Sequence, residues 1–126
     1  MPKLISLFIR FVFGCYLSEK TDLPKDLILG YGGLNIVIHA RARIGQGCHI
    51  DQSVTIGGTS KKLNVPILGN DVYVGAGAKI LGDITIGDNV VIGANSVVVK
   101  SIPPNSLVVG IPGRVIKTGI EKKDYV

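Results

Sequence analysis

The chain has 126 residues, about one domain's length, and at 46% hydrophobic and 18% charged residues it is too apolar to remain disordered. Seventeen glycines, three phenylalanines and no tryptophan exclude a core built on aromatic anchors and favour small branched side chains in β structure. The net charge of +5 is compatible with an anionic ligand, but the basic residues are scattered and not interleaved with aromatics, which excludes a nucleic-acid signature.

The opening stretch MPKLISLFIRFVFGCYL has an apolar run too short to span a membrane and broken by Arg10. It lacks an A-x-A cleavage site, and it reads as a helical segment over residues 1–16. Lys3, Ser6 and Arg10 share one face and the rest is apolar, so the helix is expected to pack on the body or on a neighbouring subunit. Resting on a membrane surface is the less favoured alternative. Cys15 and Cys48 have no metal spacing and form no CxxC motif, which fits a reduced, cytoplasmic chain.

From Ile38 onward an aliphatic residue returns every six positions: Ile38, Ile44, Ile50 and Ile56, then Leu68, Val74, Ile80, Ile86, Ile92 and Val98. Glycine follows six of them, at Gly45, Gly57, Gly69, Gly75, Gly87 and Gly93. A period of six is neither helical nor that of a simple strand. It describes a coil in which each hexapeptide is a short strand ending at a corner, with the aliphatic residue inward and glycine expected to relax the backbone where the chain turns. Three sides make an eighteen-residue turn, and stacked turns make a parallel β-helix. Leu17, Leu23 and Leu29 step by six in a shifted frame, as a degenerate first coil, with GYGGLN (Gly30–Asn35) as the frame shift. The coil domain is therefore set at 17–100. A loop at 57–67, GGTSKKLNVPI, is thrown out from a corner, and an irregular tail follows over 101–126, where prolines are expected to stop the coil after Val98.

The stretches NIVIHARARIGQGCHIDQSVTIGGT, PILGNDVYVGAGAKILGDITIGDNVVIGANSVVV and IPPNSLVVGIPGRVI resemble the hexapeptide-repeat acyltransferases. The nearest likeness is to the serine acetyltransferase branch and its relatives that acetylate sugars, and it covers about Leu29 to Lys117. The resemblance implies an all-β fold, a left-handed parallel β-helix, where a generic parallel crossover would be right-handed. It also implies a homotrimer, acetyl-CoA as acyl donor in a groove between neighbouring coils, no metal, and direct transfer to an acceptor hydroxyl. In that chemistry a histidine is the general base and a backbone N–H steadies the oxyanion.

The acceptor residues depart from the branch. Its Asp-His pair before GIVI is replaced by GYGGLN, with Tyr31 or Gly32 in the histidine's place. A second histidine is replaced by Val65, and an acidic residue of the first coil by Tyr16. Two histidines remain. His39 follows an inward residue, occupies a corner one turn from Gly57, and is the candidate base; His49 is expected to point outward from a flat side. For the cofactor the resemblance carries over Gly58 and Thr59 at the loop root and Ala76 and Ala94 on stacked corners, with Lys100 and Arg114 for the phosphates. The expected activity is acetyl transfer from acetyl-CoA to a sugar hydroxyl or to L-serine, the sugar being favoured by the missing serine-type residues. The alternative is a non-catalytic β-helix scaffold or CoA-binding subunit.

Overall fold

The computed structural model describes residues 2–126. Helix α1 (Lys3–Phe13) ends at Gly14, whose φ of 64° lets its N–H close on the carbonyl of Arg10. The chain then winds into stacked triangular coils. The first carries β1 (Tyr16–Leu17) and β2 (Ile28–Leu29); the second β3 (Val37–Ile38), β4 (Arg43–Ile44) and β5 (His49–Ile50). The third carries β6 (Thr55–Gly57), β7 (Ile67–Leu68) and β8 (Tyr73–Val74); the fourth β9 (Lys79–Leu81), β10 (Thr85–Ile86) and β11 (Val91–Ile92). The last carries β12 (Val97–Val98) and β13 (Ser106–Val109), and β14 (Arg114–Thr118) folds back.

The second, third and fourth coils each contribute one strand to each of three parallel faces, while the first and last contribute strands to two. The first face stacks β1, β3, β6, β9 and β12; the second stacks β4, β7 and β10; the third stacks β2, β5, β8, β11 and β13, with β14 added antiparallel. All ten repeated aliphatic positions point inward and are buried, and Ile38, Ile56, Ile80 and Val98 form one continuous ladder. The residues two places earlier form a second buried layer, including Ile36, Val54, Ala78, Cys48, Val72 and Val90. Burying each large aliphatic side chain contributes about 1.5–3 kcal/mol, and the ladders place like beside like with no aromatic residue needed.

Two expectations are corrected. The glycine after each inward residue does not serve a turn. Positive φ falls elsewhere, on Asn35, Ser53, Gly77 and Asn95 at one corner and on Gly47, Asp71, Asn89 and Asn105 at another. These are mostly the residue types that tolerate the left-handed region. All of the repeat glycines but Gly57 answer close approach instead: a Cβ on Gly45 would lie 2.4 Å from the carbonyl oxygen of Gly69, and one on Gly75 would lie 2.7 Å from the amide of Ala94. The coil also does not stop after Val98. Ile102 bridges to Ile86, and β13 pairs with β11, so Val108 continues the inward ladder of Ile92. The side from Val98 to Ile102 is four residues instead of six, which shortens this last step to 16 residues and breaks the count of six without ending the coil; Pro103 and Pro104 lie in the following side, which is again six residues long.

The degenerate first coil is present: Tyr16 pairs with Val37 and Ile28 with His49, a step of 21 residues because the turn at Gly30–Gly33 inserts extra chain. Helix α1 packs the other way round from an ordinary amphipathic helix. Ser6 is buried and donates to the carbonyl of Leu17, Arg10 lies 4.8 Å over the Tyr16 ring, and Leu4, Phe8 and Phe11 face outward. Ile9 and Phe13 are its contacts with the core. No helix among the described residues is long and apolar enough to cross a membrane.

Candidate functional site

The sequence candidates divide between two edges of the first face. His39, Gly57 and Leu81 stack along the edge where the chain passes to the second face, in successive coils. The loop leaves from this edge. Arg41 donates to the carbonyl of Leu63, and Asn64 donates to Asp83 at 3.3 Å, which holds the loop over a cavity of about 560 Å³. Arg41, Arg43 and Asp83 line that cavity. Gly58 and Thr59 are exposed at the loop root, and the Thr59 methyl is the nearest atom to a Cβ on Gly82, at 3.5 Å. Lys100 is exposed further along the same edge. The backbone N–H of Gly113 donates to Val97 at 2.7 Å, which brings the exposed Arg114 beside β12.

His39 is firmly seated there. Its N–H donates to Ile56 at 2.8 Å, and its Nδ1 accepts the backbone N–H of Arg41 at 3.1 Å. The neutral ring then carries its proton on Nε2, so neither nitrogen holds a free lone pair. No carboxylate among the described residues bonds this ring.

The other edge joins the third face to the first. Ala76 and Ala94 stack here, with the N–H of Asn95 donating to Ala76 at 2.8 Å. Gly75 lets the two coils approach, and the resulting shelf has no large side chain at either alanine. One strand back on the third face lies a polar cluster that the sequence reading did not assemble. His49 Nε2 is 3.0 Å from Asp51 Oδ1, and the Tyr73 hydroxyl donates to Asp51 Oδ2 at 2.6 Å. The His49 and Tyr73 rings lie 5.2 Å apart. Side-chain exposure is 20% for His49 and 12% for Asp51, so the pair is sheltered yet still reachable.

The Tyr73 hydroxyl is pushed up to about 12, first because ionisation would lose its bond to Asp51, then through burial and the charges of Asp51 and Tyr31. Tyr73 therefore stays a donor, and Asp51 stays the acceptor of two groups. GYGG packs directly onto this cluster: a Cβ on Gly30 would lie 2.1 Å from Asp51 Oδ1. Tyr31 stands above it at 73% exposure, held at a φ of 53°. Beside it, Gln52 Oε1 is a buried acceptor without a partner among the described residues.

His-x-Asp at 49–51 was legible, since alternate residues share a strand face. Tyr73 was not, because the inserted loop changes the step from 18 to 24 residues and sets it directly across from His49. Cys15 and Cys48 are both free and buried, and burial pushes both thiols up. No group of three or more histidine, cysteine or carboxylate side chains among the described residues could hold a metal ion.

Residues 66–100 match the family model described as bacterial transferase hexapeptide (six repeats). The chain is 45% identical over 118 residues to a serine acetyltransferase of Synechococcus elongatus, covering 92% of this chain and 48% of that protein. It superposes with a TM-score of 0.85 on the crystal structure of serine acetyltransferase from Neisseria gonorrhoeae, at 34% identity, covering 93% of this chain and 45% of the other. The same score and identity are found for the Brucella abortus serine acetyltransferase solved with coenzyme A, over 90% of this chain and 46% of the other. The chain spans about half the length of the relatives it matches. The coil has the left hand that the sequence resemblance implied, because a coil of opposite hand would not superpose.

Proposed function

We propose that this serine acetyltransferase-like chain of the hexapeptide-repeat acyltransferases moves an acetyl group from acetyl-CoA to the hydroxyl of a small acceptor. The observation that carries the reading is the joint agreement of sequence and coil with serine acetyltransferases, one of them solved with coenzyme A. The Ala76–Ala94 shelf supports it physically, because an extended pantetheine arm needs backbone it can lie against. Gly58 and Thr59 at the loop root, and Lys100 and Arg114 as exposed cations, are the remaining groups proposed for the cofactor.

In this reading the acceptor oxygen attacks the thioester carbonyl as a histidine takes its proton. The C–O bond forms, and a backbone N–H bonds the oxygen that becomes negative. Collapse breaks the C–S bond, and the proton passes to the departing sulfur, giving free CoA and an ester. L-Serine is the acceptor for which the relatives are named. The replacement of acceptor-site residues by Tyr31, Val65 and Tyr16 supports a sugar hydroxyl in its place.

The test is thiol release from acetyl-CoA with a panel holding L-serine and several sugars, alongside calorimetric titration of CoA and sedimentation. Turnover with one acceptor, by a particle of three chains, is the expected result. CoA binding without turnover would support the scaffold reading, and no binding at all would sink the acetyl-CoA assignment.

A further inference from the structure

The transfer reading leaves open which group removes the acceptor proton, and the two histidines answer differently to geometry. A general base needs an unshared lone pair within reach of the substrate and a partner that holds its ring. His39 has neither, since the Arg41 N–H occupies its Nδ1 and no carboxylate orients it. His49 has both. Donation of its Nε2–H to Asp51 fixes the tautomer and leaves the Nδ1 lone pair unshared. Asp51 is held in turn by the Tyr73 hydroxyl, which donates to its second oxygen, while its first oxygen occupies the space that a Cβ at position 30 would fill.

Position agrees with chemistry. Strand pairing sets Gly30, Asp51, Gly75 and Gly93 in one row along this edge, and Tyr31, Gln52, Ala76 and Ala94 in the next. The cluster therefore borders the alanine shelf through Gly75, and Gln52 separates Ala76 from the exposed Tyr31, whose hydroxyl is a group for a hydroxylated acceptor.

We propose that His49 is the catalytic base, that Asp51 and Tyr73 are its positioning residues, and that the acceptor hydroxyl is taken at the edge between Tyr31 and Ala76. The assignment rests on the acetyl-transfer reading. His49 Nδ1 receives the acceptor's proton as the C–O bond forms, and returns it to the CoA sulfur as the C–S bond breaks.

The experiment is steady-state thiol release by the 126-residue chain and by four variants: His49→Ala, His39→Ala, Asp51→Asn and Tyr73→Phe. His49→Ala is expected to lower kcat by about 10²–10⁴-fold, to keep CoA affinity and melting temperature, and to regain turnover when free imidazole is added. His39→Ala is expected to retain kcat. Asp51→Asn and Tyr73→Phe should lower kcat in that order while leaving the KM for acetyl-CoA unchanged, a split that a merely structural role would not produce. Should His49→Ala unfold, His49→Gln, which keeps a donor toward Asp51 but no base, serves in its place. A parent that turns over while His49→Ala matches it overturns this assignment alone, as does loss in His39→Ala with rescue by imidazole there. A parent silent with every acceptor overturns the transfer reading, and this assignment with it.

Discussion

Asp51 accepts from two side chains at once, and this shapes how its neighbours titrate. Tyr73 is held up to about 12 from an ordinary 10.0 by the bond it would lose on ionising. A folded-state value above the unfolded one means the bond contributes its stability fully below about pH 10 and loses it as pH rises through about 12. The expected outcome in a spectrophotometric titration of tyrosinate is a final step near pH 12, absent from Tyr73→Phe, with a parallel narrowing of the difference in melting temperature between parent and variant over that interval. A parent curve that Tyr73→Phe leaves unchanged at its alkaline end would show that the Tyr73–Asp51 bond is not made. The variant leaves the ladder intact, because Tyr73 points outward while Val74 holds the inward position.

A coil side is only two or three residues long, so its stability depends on how closely it stacks on the next. The repeat glycines set that distance, and they are not equivalent. A Cβ on Gly45 meets backbone at 2.4 Å, whereas one on Gly57 has its nearest neighbours at 3.7 and 3.8 Å, ordinary contact. Neither residue has a positive φ, so the difference is purely one of space. Gly45→Ala is expected to destabilise by about 1–3 kcal/mol, and Gly57→Ala to be neutral or slightly stabilising, both read from urea denaturation midpoints. Equal losses in the two would restore the view that these glycines serve the turn. This difference was hidden in the sequence, where both fill the same slot of the hexapeptide. The period reports which side chain points inward; the gap to the neighbouring coil is a property of three dimensions. The left-handed corner residues were hidden for a related reason, since Asn35, Ser53 and Gly77 share a function without sharing a residue type.

A solenoid buries its interior only between coils, so its two ends need covers. At one end α1 supplies Ile9 and Phe13 to the core, and the bond from Ser6 to Leu17 ties it to β1. At the other the cover is the returning tail. Its composition reads as irregular, but β14 pairs along β13, Ile120 is 5% exposed, and Asn89 bonds the carbonyl of Ile120 at 2.8 Å and the N–H of Lys122 at 2.7 Å. The aliphatic spacing of the coils was legible because each turn repeats the same contact. The tail was not, because it makes each of its contacts once. Ending the chain at Gly113 would open the edge of β13, uncover the seat of Ile120 and leave the Asn89 side chain unbonded to the tail. Lost burial and hydrogen bonds together are expected to cost about 3 kcal/mol or more, lowering the melting temperature, and the bared strand edge should make the truncated chain associate with rising concentration. Calorimetry and light scattering on parent and truncated chain check both parts, and a truncated form as stable and as free of association as the parent would mean that the coil closes its own end without the tail.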